Sequence, residues 1–157
     1  AHHNGCSTSS TEEAALVRDA IAAQIGHSWT NNGGTSHRLS AADYMVVAPY
    51  NDQVAELRKA LDSDERTRGV RAGTVDKFQG QEAPIVFFTM TTSTDVDMPR
   101  GADFLFSKNR LNVAISRARC LAYLVCTNEL LNTRARDVRE MKLISTLCAF
   151  VEQARPA

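Results

Sequence analysis

The stretch Pro84–Thr91 carries Ile85-Val86-Phe87-Phe88 with no polar residue between them, and it is too short for a buried helix. A strand that is apolar at every position, rather than at every second one, has both faces covered. That is the situation of a parallel sheet flanked by helices. Tyr44–Ala48 is a second such run, and Val70–Val75 and Leu121–Cys126 are further strand candidates. Between them lie stretches whose apolar residues recur three or four apart. Ala14, Val17 and Ile21 share one helix face, Val54, Leu57 and Leu61 another, and Met141, Ile144, Cys148 and Val151 a third within Val138–Gln153. Short buried strands alternating with amphipathic helices specify an α/β fold, a doubly wound parallel sheet with right-handed crossovers. Ligands of such sheets are expected outside the carboxyl ends of the strands.

A chain of 157 residues is the size of one domain and can bury a core without disulfides or metals. We read 1–157 as a single domain whose first nine residues, Ala1–Ser9, are polar and loose. Ser10-Thr11-Glu12-Glu13 has the form of a capping box, with Ser10 as N-cap and Glu13 reaching back, opening a helix to about Ile25. Gly26–Ser40 contains Asn31-Asn32-Gly33-Gly34 and reads as a loop in which Trp29 is a packing anchor. Asn51 or Asp52 caps the helix after Pro49. Ser107 caps another running to about Ala118.

Composition narrows the partners. Lysine plus arginine and aspartate plus glutamate number 18 each, so the net charge is zero, which argues against strong autonomous binding to nucleic acid and leaves room for local phosphate contacts. Cys6, Cys120, Cys126 and Cys148 form no CxxC pair and have no histidine cluster beside them. They are expected to be reduced structural thiols in a cytoplasmic setting, with no metal site. No apolar run approaches the roughly 18 residues of a membrane span. His2 and His3 are assigned no function.

Two segments carry chemistry. Gly73-Thr74-Val75-Asp76-Lys77-Phe78-Gln79-Gly80-Gln81-Glu82 packs glycine, hydroxyl, acid and amide groups into one stretch just before an apolar strand. Gly73 permits close backbone approach. Thr74 offers a hydroxyl that, with nearby backbone amides, can meet a phosphate. By itself such a polar stretch is also compatible with a surface turn. The second segment, Asn112-Val113-Ala114-Ile115-Ser116-Arg117-Ala118-Arg119, places two arginines on an otherwise apolar helix. On that helix Arg110, Val113 and Arg117 share a face, and Arg119 lies about 200° round from Arg117, so the two arginines have different jobs. A third segment, Val46-Val47-Ala48-Pro49-Tyr50-Asn51-Asp52-Gln53, is a strand end followed by a helix N-terminus, a place that favours anions.

In this order the three segments resemble motifs IV, V and VI of superfamily 1 helicases of the Upf1/Dna2-like branch, and they cover the chain from roughly Arg38 to Cys126. The motifs belong to the second of two RecA-like motor domains. The resemblance implies that Arg117 is the arginine finger on the γ-phosphate of ATP, and that Glu82, with Gln79 and Gly80 beside it, reaches the ribose or phosphates. It implies that Pro49, Tyr50, Gln53, Thr74 and Asp76 meet single-stranded nucleic acid, and that Arg119 is a structural ion-pair partner. ATP with Mg2+ is the implied cofactor, held mainly by a first RecA-like domain of the parent chain. No G-x-x-x-x-G-K-[ST] phosphate loop is present, and Asp64-Glu65 follows no apolar strand. The expectation is therefore a P-loop NTPase-type domain lacking the P-loop half and inactive alone. The wording of the motifs resembles bacterial Dna2-like DNA helicases, some fused to a RecB-like nuclease. That implies a cytoplasmic, nucleoid-associated protein with a role in DNA repair and no membrane partner. Other readings are an RNA helicase of the same branch, a non-hydrolysing module for nucleic acid or protein, and an unrelated α/β enzyme, which would need its own phosphate loop.

Overall fold

The computed structural model describes residues 1–31, 33–94, 96–99, 105, 112 and 115–154. Helix α1 (Thr11–Gln24) leads through a hairpin, β1 (Ser28–Thr30) and β2 (Ser36–Arg38), into β3 (Tyr44–Ala48), α2 (Asn51–Asp62) and β4 (Arg71–Thr74). A single 3-10 turn, Val75–Phe78, separates β4 from β5 (Ala83–Thr89). Strand β6 (Ala118–Val125), α3 (Asn128–Leu131) and α4 (Val138–Gln153) follow. The main sheet has the order β4-β3-β5-β6, and every neighbouring pair is parallel.

The apolar runs behave as their composition requires. All five residues of β3 and all seven of β5 are buried. Alternate side chains enter two separate cores. Tyr44, Val46, Ile85 and Phe87 meet Val17, Ile21, Leu57 and Leu61 from α1 and α2 on one face. Met45, Val47, Val86 and Phe88 meet Leu130, Ile144 and Leu147 on the other. Each fully buried Leu, Ile or Phe side chain contributes about 1.5–3 kcal/mol of transfer free energy. Phe87 and Tyr123 stack with ring centroids 4.5 Å apart, locking β5 to β6 beneath α1.

Several local expectations need correction. The capping box at α1 is only half formed. Ser10 Oγ accepts from the Glu13 amide at 3.1 Å, but the Glu13 carboxylate turns into the protein, and the Ser10 amide donates instead to Gln53 Oε1 at 2.6 Å. Ala1–Ser9 is not loose. The Cys6 amide donates to Ser93 Oγ at 2.9 Å, Thr92 Oγ1 donates to the Ser7 carbonyl at 2.9 Å, and Thr8 Oγ1 donates to Asp52 at 2.7 Å. Gly26–Ser40 is an antiparallel hairpin rather than a loop, because Asn31 Oδ1 accepts from the amides of Gly33 and Thr35 at 2.9 and 3.0 Å and closes a turn. Tyr50, not Asn51 or Asp52, occupies the N-cap of α2. On α4 the inward face is Ile144 and Leu147, and Met141 stands 57% exposed. The N-terminal part of the helix expected from Ser107 lies outside the described residues. Its end is clear: Asn112, Ile115 and Ser116 are helical, Arg117 is in a turn, and Ala118 already pairs with Ala83 in the sheet. Ladder pairing with β5 ends the helix before the two arginines, so Arg117 and Arg119 never share helical geometry.

Candidate nucleotide and nucleic-acid edges

The candidate residues fall on two opposite edges of the sheet. Ala48 and Thr74 are register partners at the carboxyl ends of β3 and β4. Pro49 and Tyr50 follow Ala48 directly, so these positions and Thr74 lie together. Between β3 and β5 the winding direction reverses, which is where a doubly wound sheet opens a crevice. Thr74 is half-buried, caps the 3-10 turn, and makes no side-chain cap hydrogen bond there. Asp76 is exposed. Pro49 is buried and Tyr50 is only 6% exposed within the core, so at these two positions the backbone is what a ligand can approach. Gln53 is a correction. It is 0% exposed, and its Oε1 is committed to the Ser10 amide, so its side chain ties α2 to α1 and does not face a strand.

From Thr74 the chain doubles back. A Cβ on Gly73 would stand 2.9 Å from Lys77 Cδ and 3.1 Å from the Phe78 ring, so only glycine lets Phe78 fold down over β4. Gly80 then turns with φ +78°. At the amino end of β4, Arg71 donates to Gln81 Oε1 at 3.1 Å, pinning the end of the segment. Nothing in the sequence marked Arg71, because an arginine at the start of a strand carries no motif.

Glu82 therefore emerges at the amino edge, immediately before β5. The Ala83 amide donates to the Arg117 carbonyl at 3.0 Å. Ala83 and Ala118 are register partners, which sets Glu82 and Arg117 at the starts of neighbouring parallel strands. Pro49 and Thr74 thus lie at the carboxyl ends of their strands, and Glu82 and Arg117 at the amino ends. Gln79, Gly80 and Glu82 are exposed. Arg117 is half-buried, its Nε is buried without a hydrogen-bond partner, and no carboxylate pairs with it among the described residues. A buried guanidinium nitrogen without an acceptor fits an anionic group such as a phosphate. Arg119 also has no carboxylate partner among the described residues. Its guanidinium lies 5.9 Å from the centre of the Trp29 ring, a cation–π contact. Asp64 and Glu65 lie on the turn after α2. Asp64 pairs with Arg66 at 2.7 Å, which pulls its carboxyl down to about 2.

A buried cluster escaped the sequence reading altogether. His3, given no role above, places Nδ1 2.7 Å from Ser93 Oγ and Nε2 3.0 Å from Glu13 Oε1, with both the His3 and Glu13 side chains fully buried. The other Glu13 oxygen accepts from the Thr91 amide at 2.9 Å. Thr91 has φ +70°, an outlier for a β-branched residue, and this bond is what holds it. Burial pushes the Glu13 carboxyl up, opposed by the bonds from His3 and Thr91. Burial likewise pushes the Cys126 thiol up to about 11, with the Glu13 carboxylate adding to the effect.

A parallel doubly wound sheet with these two edges defines a RecA-like domain of the P-loop NTPase type. Residues 2–129 match the family described as AAA domain, and the chain belongs to it. Among curated proteins it is 46% identical over 81 residues to the DNA polymerase alpha-associated DNA helicase A of Schizosaccharomyces pombe, covering 52% of this chain and 12% of the relative. It is 31% identical over 121 residues to an ATP-dependent helicase of Caenorhabditis elegans, covering 77% of this chain and 7% of the relative. It is 34% identical over 97 residues to the DNA-binding protein SMUBP-2 of Rattus norvegicus, covering 62% of this chain and 9% of the relative. These similarities place it among superfamily 1 helicase domains of the Upf1-like kind. The chain spans roughly a tenth of the length of these relatives, as the shares of 12%, 7% and 9% indicate.

Proposed function

We propose that the chain is the second motor domain of an ATP-driven DNA helicase, a bacterial Dna2-like enzyme acting in DNA repair on the cytoplasmic nucleoid. What carries the reading is that Glu82 and Arg117 open neighbouring parallel strands, with Ala83 N and Arg117 O 3.0 Å apart. An acid and an arginine with no ion-pair partner among the described residues, side by side, suit the ribose and phosphates of a nucleotide that would be held chiefly, with its Mg2+, by the first RecA-like domain. ATP supplies the phosphoryl group whose loss drives the cycle. Arg117 offers cationic donors to the phosphates, and Glu82 offers an acceptor to the ribose. The carboxyl edge serves the single strand, through backbone at Pro49 and Tyr50 and through the Thr74 hydroxyl, with Asp76 at its rim. The names of the Schizosaccharomyces and Rattus relatives favour DNA over RNA. A fused nuclease domain is a further partner that the motif wording suggests.

The test is the ATPase rate of the intact parent with and without single-stranded DNA, beside the rate of this chain alone. DNA-stimulated turnover in the parent and none in the chain supports a divided motor. Turnover by the chain alone rules it out, and a folded parent without turnover leaves a non-hydrolysing binding module. Stimulation by RNA only transfers the reading to an RNA helicase. Thr74→Ala is expected to weaken single-strand affinity by about 1 kcal/mol, the size of one hydrogen bond, with ATP affinity unchanged. Unchanged strand binding, measured by fluorescence anisotropy, removes Thr74 from the contact.

A further inference from the structure

We propose that the cleft between the β1–β2 hairpin and the start of β6 is a phosphate-binding site, filled by a backbone phosphate of a nucleic-acid strand or by the phosphate of a nucleotide. The cleft has a volume of about 290 Å³ and is lined by Trp29, Asn31, Gly33, Arg119 and Cys120. None of these is acidic. The sequence from Gly26 to Ala42 contains no aspartate or glutamate and carries His27, His37 and Arg38, in a chain of zero net charge. The hairpin thus carries Arg38 and no carboxylate, so no fixed negative charge of its own opposes an anion in the cleft.

Two donor groups of the cleft, on Arg119 and Trp29, are uncommitted among the described residues. Asn31 Nδ2, by contrast, lies 3.2 Å from His37 Nε2, and the Gly33 amide donates to Asn31 Oδ1. Arg119 has no carboxylate partner among the described residues, and its guanidinium rests against the Trp29 ring at 5.9 Å. Resting on a ring occupies the face of a guanidinium and leaves its N–H fork in the plane, where it matches two oxygens of one phosphate. The indole Nε1 of Trp29 is buried and has no hydrogen-bond partner among the described residues, so it is a second donor without an acceptor there. A stacked nucleobase is the less favoured occupant. The Trp29 ring already meets His37 at 5.3 Å as well as Arg119, leaving little free aromatic face. Arg119 stands two residues from Arg117, so the cleft extends the amino edge described above.

The choice of phosphate source rests on the proposed function, since a motor domain meets phosphate both in its strand and in its nucleotide. Trp29 is the only tryptophan of the chain, so its emission reports on this cleft alone. The chain is titrated at low salt with a twenty-nucleotide oligo-dT carrying a distal dye, and separately with ATP and with inorganic phosphate. Strand binding is followed by anisotropy and the cleft by Trp29 emission. The expected result is a saturable change in emission with at least one probe. Its midpoint shifts at least tenfold in Arg119→Ala and is only partly restored in Arg119→Lys, which keeps charge but loses the fork. A response to oligo-dT alone assigns the strand as source; a response to ATP or phosphate alone assigns the nucleotide. Oligo-dT binding by anisotropy with silent Trp29 emission towards every probe overturns the inference and leaves the helicase reading intact. Absence of oligo-dT binding counts against the helicase reading, and the cleft is then judged on ATP and phosphate. An Arg119→Ala chain that responds like the wild type also overturns it. Far-UV circular dichroism checks that the variants fold, and Arg119→Lys carries the test if Arg119→Ala does not.

Discussion

Arg117→Ala in the intact parent enzyme is expected to lower kcat for DNA-stimulated ATP hydrolysis by about 10³–10⁵, the range over which an arginine finger acts on a transferred phosphoryl group. The fold should survive. The guanidinium makes no ion pair among the described residues, and the backbone bond from Ala83 to the Arg117 carbonyl at 3.0 Å does not depend on the side chain. Arg117→Lys should recover only part of the rate, because a point charge cannot reproduce bidentate contact. The effect belongs mainly in kcat, since charge grows on the phosphoryl oxygens in the transition state and not before. If Arg117→Ala turns over like the wild type, Arg117 is a surface cation and the finger assignment fails.

The second large effect is on stability. Removing His3 leaves the buried Glu13 carboxylate with the Thr91 amide as its remaining hydrogen-bond partner among the described residues, and a lost hydrogen bond to a charged group costs about 1.5–3 kcal/mol. His3→Ala is expected to lose about that much in urea unfolding at pH 8 and clearly less at pH 5. The sign follows from Glu13. Its folded pKa is raised by burial above the unfolded value of 4.5. A carboxyl shifted that way favours the folded state below the unfolded pKa, and that contribution is lost as pH rises through the folded pKa. His3 normally opposes the shift, so its loss raises the folded pKa further, and the deficit opens on the alkaline side. His3→Ala combined with Glu13→Gln should recover much of the stability at pH 8. Equal small losses at both pH values would show that the buried pair contributes little.

The sheet was legible because β3 and the Ala83–Phe88 run of β5 are apolar at every residue, a pattern that leaves no second choice of environment. The motif residues were legible as an ordered string, and the string says nothing about which edge of the sheet each residue reaches. Glu82 went to the amino edge because Gly73 admits Phe78 and the chain turns back, and Arg117 because β6 begins directly after it, both visible only in three dimensions. Gln53 was misplaced for a related reason: a glutamine in the first turn of a helix looks exposed until a neighbouring backbone amide, here that of Ser10, claims it. Glu13 matched a capping pattern, and a buried histidine ten residues earlier in the chain outcompeted the cap. Trp29 was correctly read as a packing residue, but its partner Arg119 was placed on a helix, and strand pairing moved it.

The return from β4 to β5 has a mechanical meaning. One short span starts at Thr74, on the rim proposed for the strand, and ends at Glu82, on the rim proposed for the nucleotide. It contains no long helix to absorb slack, and it is clamped midway by Phe78 against Gly73 and at its end by Arg71 on Gln81. Such a span behaves as a connecting rod. A displacement at either rim is expected to reach the other with little slack, because few residues lie between them and both ends are held.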